Sequence, residues 1–152
     1  MNEIAEMAVQ SSFSLSECEA RDRLIRAEKI VSQMEQVEVP ITHHFAEGVY
    51  ARGGMVKKGT VFVGRVHLHS QINIISKGDI TILMEGGVAR LVGPCTWVSP
   101  KGAQRAAYAN EDTYWTTILG TQETDPEVIF NTCTSANLDA LAHDDLLILE
   151  KE

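Results

Sequence analysis

Hydrophobic positions recur with two different periods along this chain. Between Ser16 and Pro40 the apolar residues Leu24, Ala27, Val31 and Met34 keep helical spacing, leaving Arg21, Arg23, Glu28 and Glu35 for water. Ser16 and Glu19 have the spacing of a capping box, and Pro40 stops any helix. Asp125-Pro126-Glu127 places an N-cap residue before a proline at the first helical position, which predicts a second helix. Further on, Leu138, Leu141 and the run Leu146 to Leu149 are apolar enough to require a partner surface. Residues 1–12 are polar and weakly periodic, so a mobile or partner-dependent start is expected.

From Val49 to Gly120 the helical period disappears. Short β-rich runs (Val61–Val63, Ile72–Ser76, Ile80–Met84, Val88–Val92, Trp97–Val98 and Thr113–Leu119) alternate with turns rich in Gly, Pro, Asn and Asp. Strands at such regular spacing predict a sandwich or barrel, and the length leaves room for a small jelly roll and nothing more. The expected fold is therefore mainly β. A small jelly-roll β-barrel spans residues 43–122, between a helical N-terminal arm (1–42) and an acidic C-terminal arm (123–152). Within the barrel, His67, His69, Gln71 and Asn73 are spaced two apart and share a face, while Val66, Leu68 and Ile72 share the other. Either these four face water on an ordinary antiparallel sheet, or they face inward, where polar side chains in a small barrel would line a pocket, the reading that the resemblance below implies.

Charge sharpens this picture. The chain has 152 residues with 13 basic and 21 acidic side chains, a net charge of −8. The acidity sits in the arms: residues 1–42 carry −4, residues 43–120 carry +3 and residues 121–152 carry −7. An acidic whole argues against nucleic acid as a partner. The mildly basic middle leaves room for a small anion while the arms pack elsewhere. No apolar run reaches the roughly 18–20 residues that span a bilayer, and no signal peptide is expected at the N-terminus. Three cysteines (Cys18, Cys95 and Cys133) without a CxxC pair disfavour a disulfide scaffold and fit a reducing compartment. Cys95 reads as a small buried hydrophobe. No Ser-His-Asp arrangement or Gly-rich phosphate loop is present.

Two stretches resemble the paired motifs of the cupin superfamily. GRVHLHSQINIISKG, from Gly64 to Gly78, has the His-x-His of the first motif at His67 and His69, with Asn73 where the family has a glutamate. GPCTWVSPKGAQRAAYAN, from Gly93 to Asn110, keeps Gly93, Pro100 and Gly102 of the second motif, but Arg105 stands at its histidine position and Asn110 falls one place late. A narrower likeness, over residues 42 to 125, is to the cupin-like proteins of tailed phages and prophages, carried by THHFAEGVYAR, KKGTVFVGRVH and TYWTTILGTQETD. That group often has a histidine at the position of Gln71. The likeness implies a jelly-roll fold and the cytoplasm of a bacterial host, or the virion, as the setting.

A cupin metal site takes three or four imidazole and carboxylate ligands. Here the carboxylate is replaced by Asn73, and a permanent cation, Arg105, replaces an imidazole. His67 and His69 would be the ligands of any divalent metal. His43 and His44 are neighbours on one strand, so at most one of them would join. The same replacements favour a polar or anionic small molecule. Arg105 and Arg52 offer guanidinium forks, Asn73 and Gln71 offer amides, and Tyr50, Tyr108 and Trp115 offer flat walls. The expected function is non-catalytic, metal-free binding of such a molecule by a homo-oligomer. One alternative is a structural or adaptor module docking on phage particle proteins. The other is an enzyme, either a metal-dependent cupin or an isomerase pairing His67 or His69 with Tyr108.

Overall fold

A computed structural model describes residues 13–14, 17–84 and 86–136. Twelve strands and two helices follow one another along it. They are β1 (Phe13–Ser14), α1 (Glu17–Val31), β2 (Ile41–Ala46), β3 (Val49–Val56), β4 (Val61–Val63), β5 (Val66–His67) and β6 (Gln71–Lys77). Then come β7 (Asp79–Met84), β8 (Gly87–Val92), β9 (Cys95–Ser99), β10 (Ala106–Ala109), β11 (Thr113–Gly120), α2 (Pro126–Cys133) and β12 (Thr134–Ser135).

The strands form two five-stranded antiparallel sheets, ordered β1-β8-β7-β10-β4 and β2-β3-β11-β6-β9, and β12 pairs with β5. Among the described residues the hydrogen bonding does not close into a ring, so the jelly roll is a sandwich of two sheets there rather than a sealed barrel. Both arms supply strands: β1 pairs with β8, and β12 with β5.

The pleat assigns each residue of the second sheet to one face. Two rows crossing all five of its strands point inward: His43–Arg52–Thr117–Asn73–Trp97 and Ile41–Gly54–Trp115–Ile75–Cys95. Two other rows point outward: His44–Ala51–Ile118–Ile72–Val98 and Thr42–Gly53–Thr116–Ile74–Thr96. Along β6 the inward positions change from Gln71 and Asn73 to Ile75. The apolar core therefore fills one end of the sandwich, where Ile75, Ile80, Ile82, Leu91 and Ala107 pack with Phe62, Met84, Cys95, Trp97 and Trp115. At that end the chain turns through Gly78, whose φ of +110° is reserved for glycine. A Cβ there would strike Thr113 and the Asp112 carbonyl.

The predicted stripe on the N-terminal helix holds for Leu24, Ala27 and Val31, joined by Ala20 one turn earlier. The helix lies across β4, β7 and β10. It stops at Val31, well before Pro40, so Met34 is exposed beyond its end. Side chains take over the last carbonyls: Ser32 Oγ donates to Lys29 O at 2.9 Å, and Gln36 Nε2 to Val31 O at 2.9 Å. Replacing buried Leu24 with alanine should lower stability by about 2 kcal/mol, measured by urea unfolding. At α2, Asp125 is the N-cap, accepting from Glu127 N at 2.9 Å, and Pro126 follows it. The capping box at Ser16 and the leucine-rich tail from Leu138 to Leu149 lie outside the described residues.

Candidate functional site

At the end of the sandwich opposite Gly78 the sheets enclose a cavity of about 450 Å³. Its floor is the inward row containing Arg52, Thr117 and Asn73, and its walls include Tyr50, Phe62, Gln71, Arg105 and Trp115. His67 and His69 line it as well. Thus eight of the nine side chains put forward in the sequence for ligand contact (Tyr50, Arg52, His67, His69, Gln71, Asn73, Arg105 and Trp115) converge on one cavity.

Tyr108 does not join them. It is exposed on β10, where its neighbours Ala107 and Ala109 are the residues that point inward. The pairing of a cavity histidine with Tyr108 is therefore not assembled. Asn110 is also remote from the cavity. Its amide donates to Asp79 Oδ1 and Thr81 Oγ1, each at 2.9 Å, in a knot that includes the Arg90–Asp79 ion pair. Arg90 holds the Asp79 carboxyl below its ordinary range.

Asn73 is fully buried and serves the scaffold. Its Oδ1 accepts from Trp115 Nε1 at 3.1 Å and from Thr117 Oγ1 at 3.2 Å, and its Nδ2 donates to Ser99 Oγ at 2.6 Å. The same Ser99 hydroxyl accepts from Arg105 Nη2 at 2.6 Å. Arg105 is only 6% exposed and lies 5.9 Å over the Trp97 ring. The position where cupins carry a carboxylate ligand thus ties together four elements of the wall.

His67 is partly buried between cationic groups. Burial first, then the charges of Arg105 and Arg52, lower its pKa from 6.5 to about 4, so the imidazole is neutral near pH 7. Tyr50 is pushed up by burial, and Arg52 partly opposes this. Its hydroxyl meets His43 Nδ1 at 2.7 Å, with the two rings stacked. His44 lies in the outward row, so only His43 of that pair is near the cavity. Cys95 belongs to the core edge, and burial raises its thiol.

Three parts of the cavity are absent from the sequence-based set. Arg65 lies two residues before His67, so the same alternation puts it on the cavity face. Its guanidinium sits 4.7 Å over the Phe130 ring, and its Nε donates to Thr134 Oγ1 at 2.9 Å. Thr117 was recoverable only from strand register, as the residue opposite Asn73. The third part is α2, whose Ile129, Phe130 and Cys133 form a wall. The start of the C-terminal arm thus builds the site instead of packing elsewhere. Leu68 N donates to Cys133 O at 2.9 Å, which fastens that wall to the loop after β5.

Comparison with solved structures places this architecture. KdgF from Halomonas sp. matches with a TM-score of 0.51 and 20% identity, covering 61% of this chain and 88% of that one. A cupin of the RmlC-like type from Shewanella frigidimarina matches with a TM-score of 0.48 and 18% identity, over 60% of this chain and 88% of that one. The likeness to KdgF supports the jelly-roll fold expected from the sequence. Salicylate 1,2-dioxygenase from Pseudoaminobacter salicylatoxidans is also similar, with a TM-score of 0.49 and 14% identity, over 66% of this chain and 31% of that one. No protein-family model and no curated protein matches the sequence.

A cupin metal centre takes three or four imidazole and carboxylate ligands. Among the described residues no three His, Cys, Asp or Glu side chains come together. His67 and His69 are two imidazoles without a carboxylate, the Asn73 oxygen already accepts two hydrogen bonds, and the Arg105 guanidinium has no lone pair to offer. The residues present do not fit a cupin metal centre. Among the described residues no helix is long and apolar enough to cross a membrane.

Proposed function

We propose that this cupin binds a small organic anion in its cavity and does so without metal and without catalysis. The observation that carries this is the charge of the lining: Arg52, Arg65 and Arg105 contribute three guanidiniums, and among the described residues no aspartate or glutamate lines the cavity with them. A positive concavity with low-dielectric walls concentrates anions, and a guanidinium fork matches carboxylate or phosphate oxygens. Phe62, Val56, Leu119, Ile129 and Phe130 make much of the remaining surface apolar, so the anion has a hydrocarbon or ring body. Binding rather than turnover is favoured because Asn73, at the family's ligand position, braces the wall, and because Tyr108 is outside. The likeness of residues 42 to 125 to phage cupins supports a phage or prophage setting, with a metabolite or signal of the bacterial host as the bound species.

Titration calorimetry against nucleotides, sugar phosphates and mono- and dicarboxylates tests the proposal. Binding of one class is expected, with Arg105→Gln weakening it about 30-fold or more and Arg52→Gln acting in the same direction. Failure of every class to bind, or affinity indifferent to both arginines, would sink it.

A further inference from the structure

The guanidiniums of the cavity are not gathered at one point. Arg52, Thr117, Asn73 and Trp97 follow one another across β3, β11, β6 and β9 in a single inward row. Adjacent strands lie about 4.8 Å apart, so Arg52 and Trp97 are rooted about 14 Å from each other. Arg105 reaches the far end of that row from the segment before β10. Its guanidinium lies 5.9 Å over the Trp97 ring and donates at 2.6 Å to Ser99 Oγ, which is also on β9. One positive charge is therefore rooted at the β3 side of the floor, and another stands at the β9 side. The imidazole of His67 is within range of both and feels Arg105 more strongly than Arg52. Between the two charges the floor turns its polar atoms on itself. Thr117 Oγ1 and Trp115 Nε1 both donate to Asn73 Oδ1, and Asn73 Nδ2 donates to Ser99. Phe62 packs against Trp115 with ring centroids 5.7 Å apart, and both rings line the cavity.

We infer that the cavity takes a dicarboxylate lying along this row, with one carboxylate on Arg52, the other on Arg105 and a hydrocarbon bridge between them. The inference rests on the anion-binding reading and narrows it to a ligand charged at both ends. A guanidinium carries one charge, and its fork matches the two oxygens of one carboxylate. Two forks at opposite sides of the floor therefore take two separate carboxylates. A monocarboxylate of the same length would set a methyl group against the second guanidinium and strip it of water without giving it a partner. The bridge lies where Asn73, Thr117 and Trp115 already satisfy one another, so it meets rings and methyl groups and gains nothing from hydroxyls of its own. Roughly 4 Å for each guanidinium–carboxylate contact leaves about 6 Å between the two carboxyl carbons, the span of adipate. Arg65 is engaged with Phe130 and Thr134 at the α2 wall and is not one of the two ends.

Titration calorimetry of the full chain against succinate, adipate and sebacate tests this, with hexanoate as the monoanion of matching length and fructose bisphosphate as a phosphate carrying charge at both ends. Adipate should bind at least about tenfold more tightly than hexanoate, and more tightly than succinate or sebacate. Arg52→Gln should bring adipate to the level of hexanoate. Arg105 is buried against Ser99 and Trp97, so Arg52→Gln carries the mutational arm, and a circular dichroism melt checks that the variant is folded. Hexanoate as tight as adipate, an affinity that climbs steadily from succinate to sebacate, or an adipate advantage that survives Arg52→Gln would overturn the two-ended ligand and leave the anion-binding reading standing. Fructose bisphosphate bound as tightly as adipate would do the same. If no anion binds at all, both readings fall together.

Discussion

Replacing Asn73 with leucine should destabilise the protein by about 4 kcal/mol, a fall in Tm of about 10 °C. Leucine has the same number and branching of side-chain heavy atoms as asparagine but bulkier methyl groups, so no cavity is left and the loss comes from hydrogen bonding and crowding. Without the amide, Trp115 Nε1 and the Thr117 hydroxyl lose their acceptor, and the Ser99 hydroxyl loses a donor. Each polar group left unmatched in a buried wall costs about 1–3 kcal/mol. Asn73→Asp is the discriminating control. Its carboxylate still accepts from Trp115 and Thr117, and the Ser99 hydroxyl can turn to donate to it while accepting from Arg105. That substitution should cost no more than about half as much. Equal losses for Leu and Asp in chemical unfolding would show that the bonds to Asn73 do not brace the wall.

The second large effect is on pH dependence. His67 titrates at about 4 in the folded chain and at 6.5 when unperturbed, so between these values the unfolded chain binds the additional proton. The stabilisation is therefore complete above pH 6.5 and is lost as pH falls towards 4. At about 1.4 kcal/mol per pH unit, the gap corresponds to about 3 kcal/mol. The lowered carboxyls Asp79 and Asp112 titrate below 3.8 when folded, so their contribution is lost at lower pH and leaves this window to the imidazole. Unfolding curves recorded from pH 4 to pH 8 should slope steeply for the wild type and much less for His67→Gln. Parallel profiles for the two proteins would mean that burial and the arginines do not hold the imidazole neutral.

Much of this architecture is legible in the residues. The alternation from His67 to Asn73 groups four polar side chains and the resemblance turns the group inward, an outcome that survives the bend at residues 68–69 between β5 and β6. Carried one step further back, it also reaches Arg65, which fell outside the set because the family motif begins its polar positions at the histidine. Tyr108 failed for the complementary reason. It is put forward by residue type, as a flat wall or an acid, with no alternation to fix its face, and one residue along a strand exchanges inside for outside. The contribution of α2 was not legible at all. Eight residues with one buried isoleucine look like a surface turn of helix until the pairing of β12 with β5 carries them to the cavity. Asn73 shows a different limit. Its type and position suggested a ligand contact, but how its hydrogen bonds are distributed depends on Trp115, Thr117 and Ser99, which are brought together only by strand register.

The attachment of α2 also bears on where the working unit ends. A chain shortened at residue 122 would retain every strand of both five-stranded sheets, and by that criterion would count as whole. It would nevertheless lose Ile129, Phe130 and the Thr134 hydroxyl that holds Arg65. The vessel would then stand open on one side, with a guanidinium released into water. The length of chain that completes the two sheets and the length that closes the cavity are different, and the dozen residues from 123 to 134 make the difference.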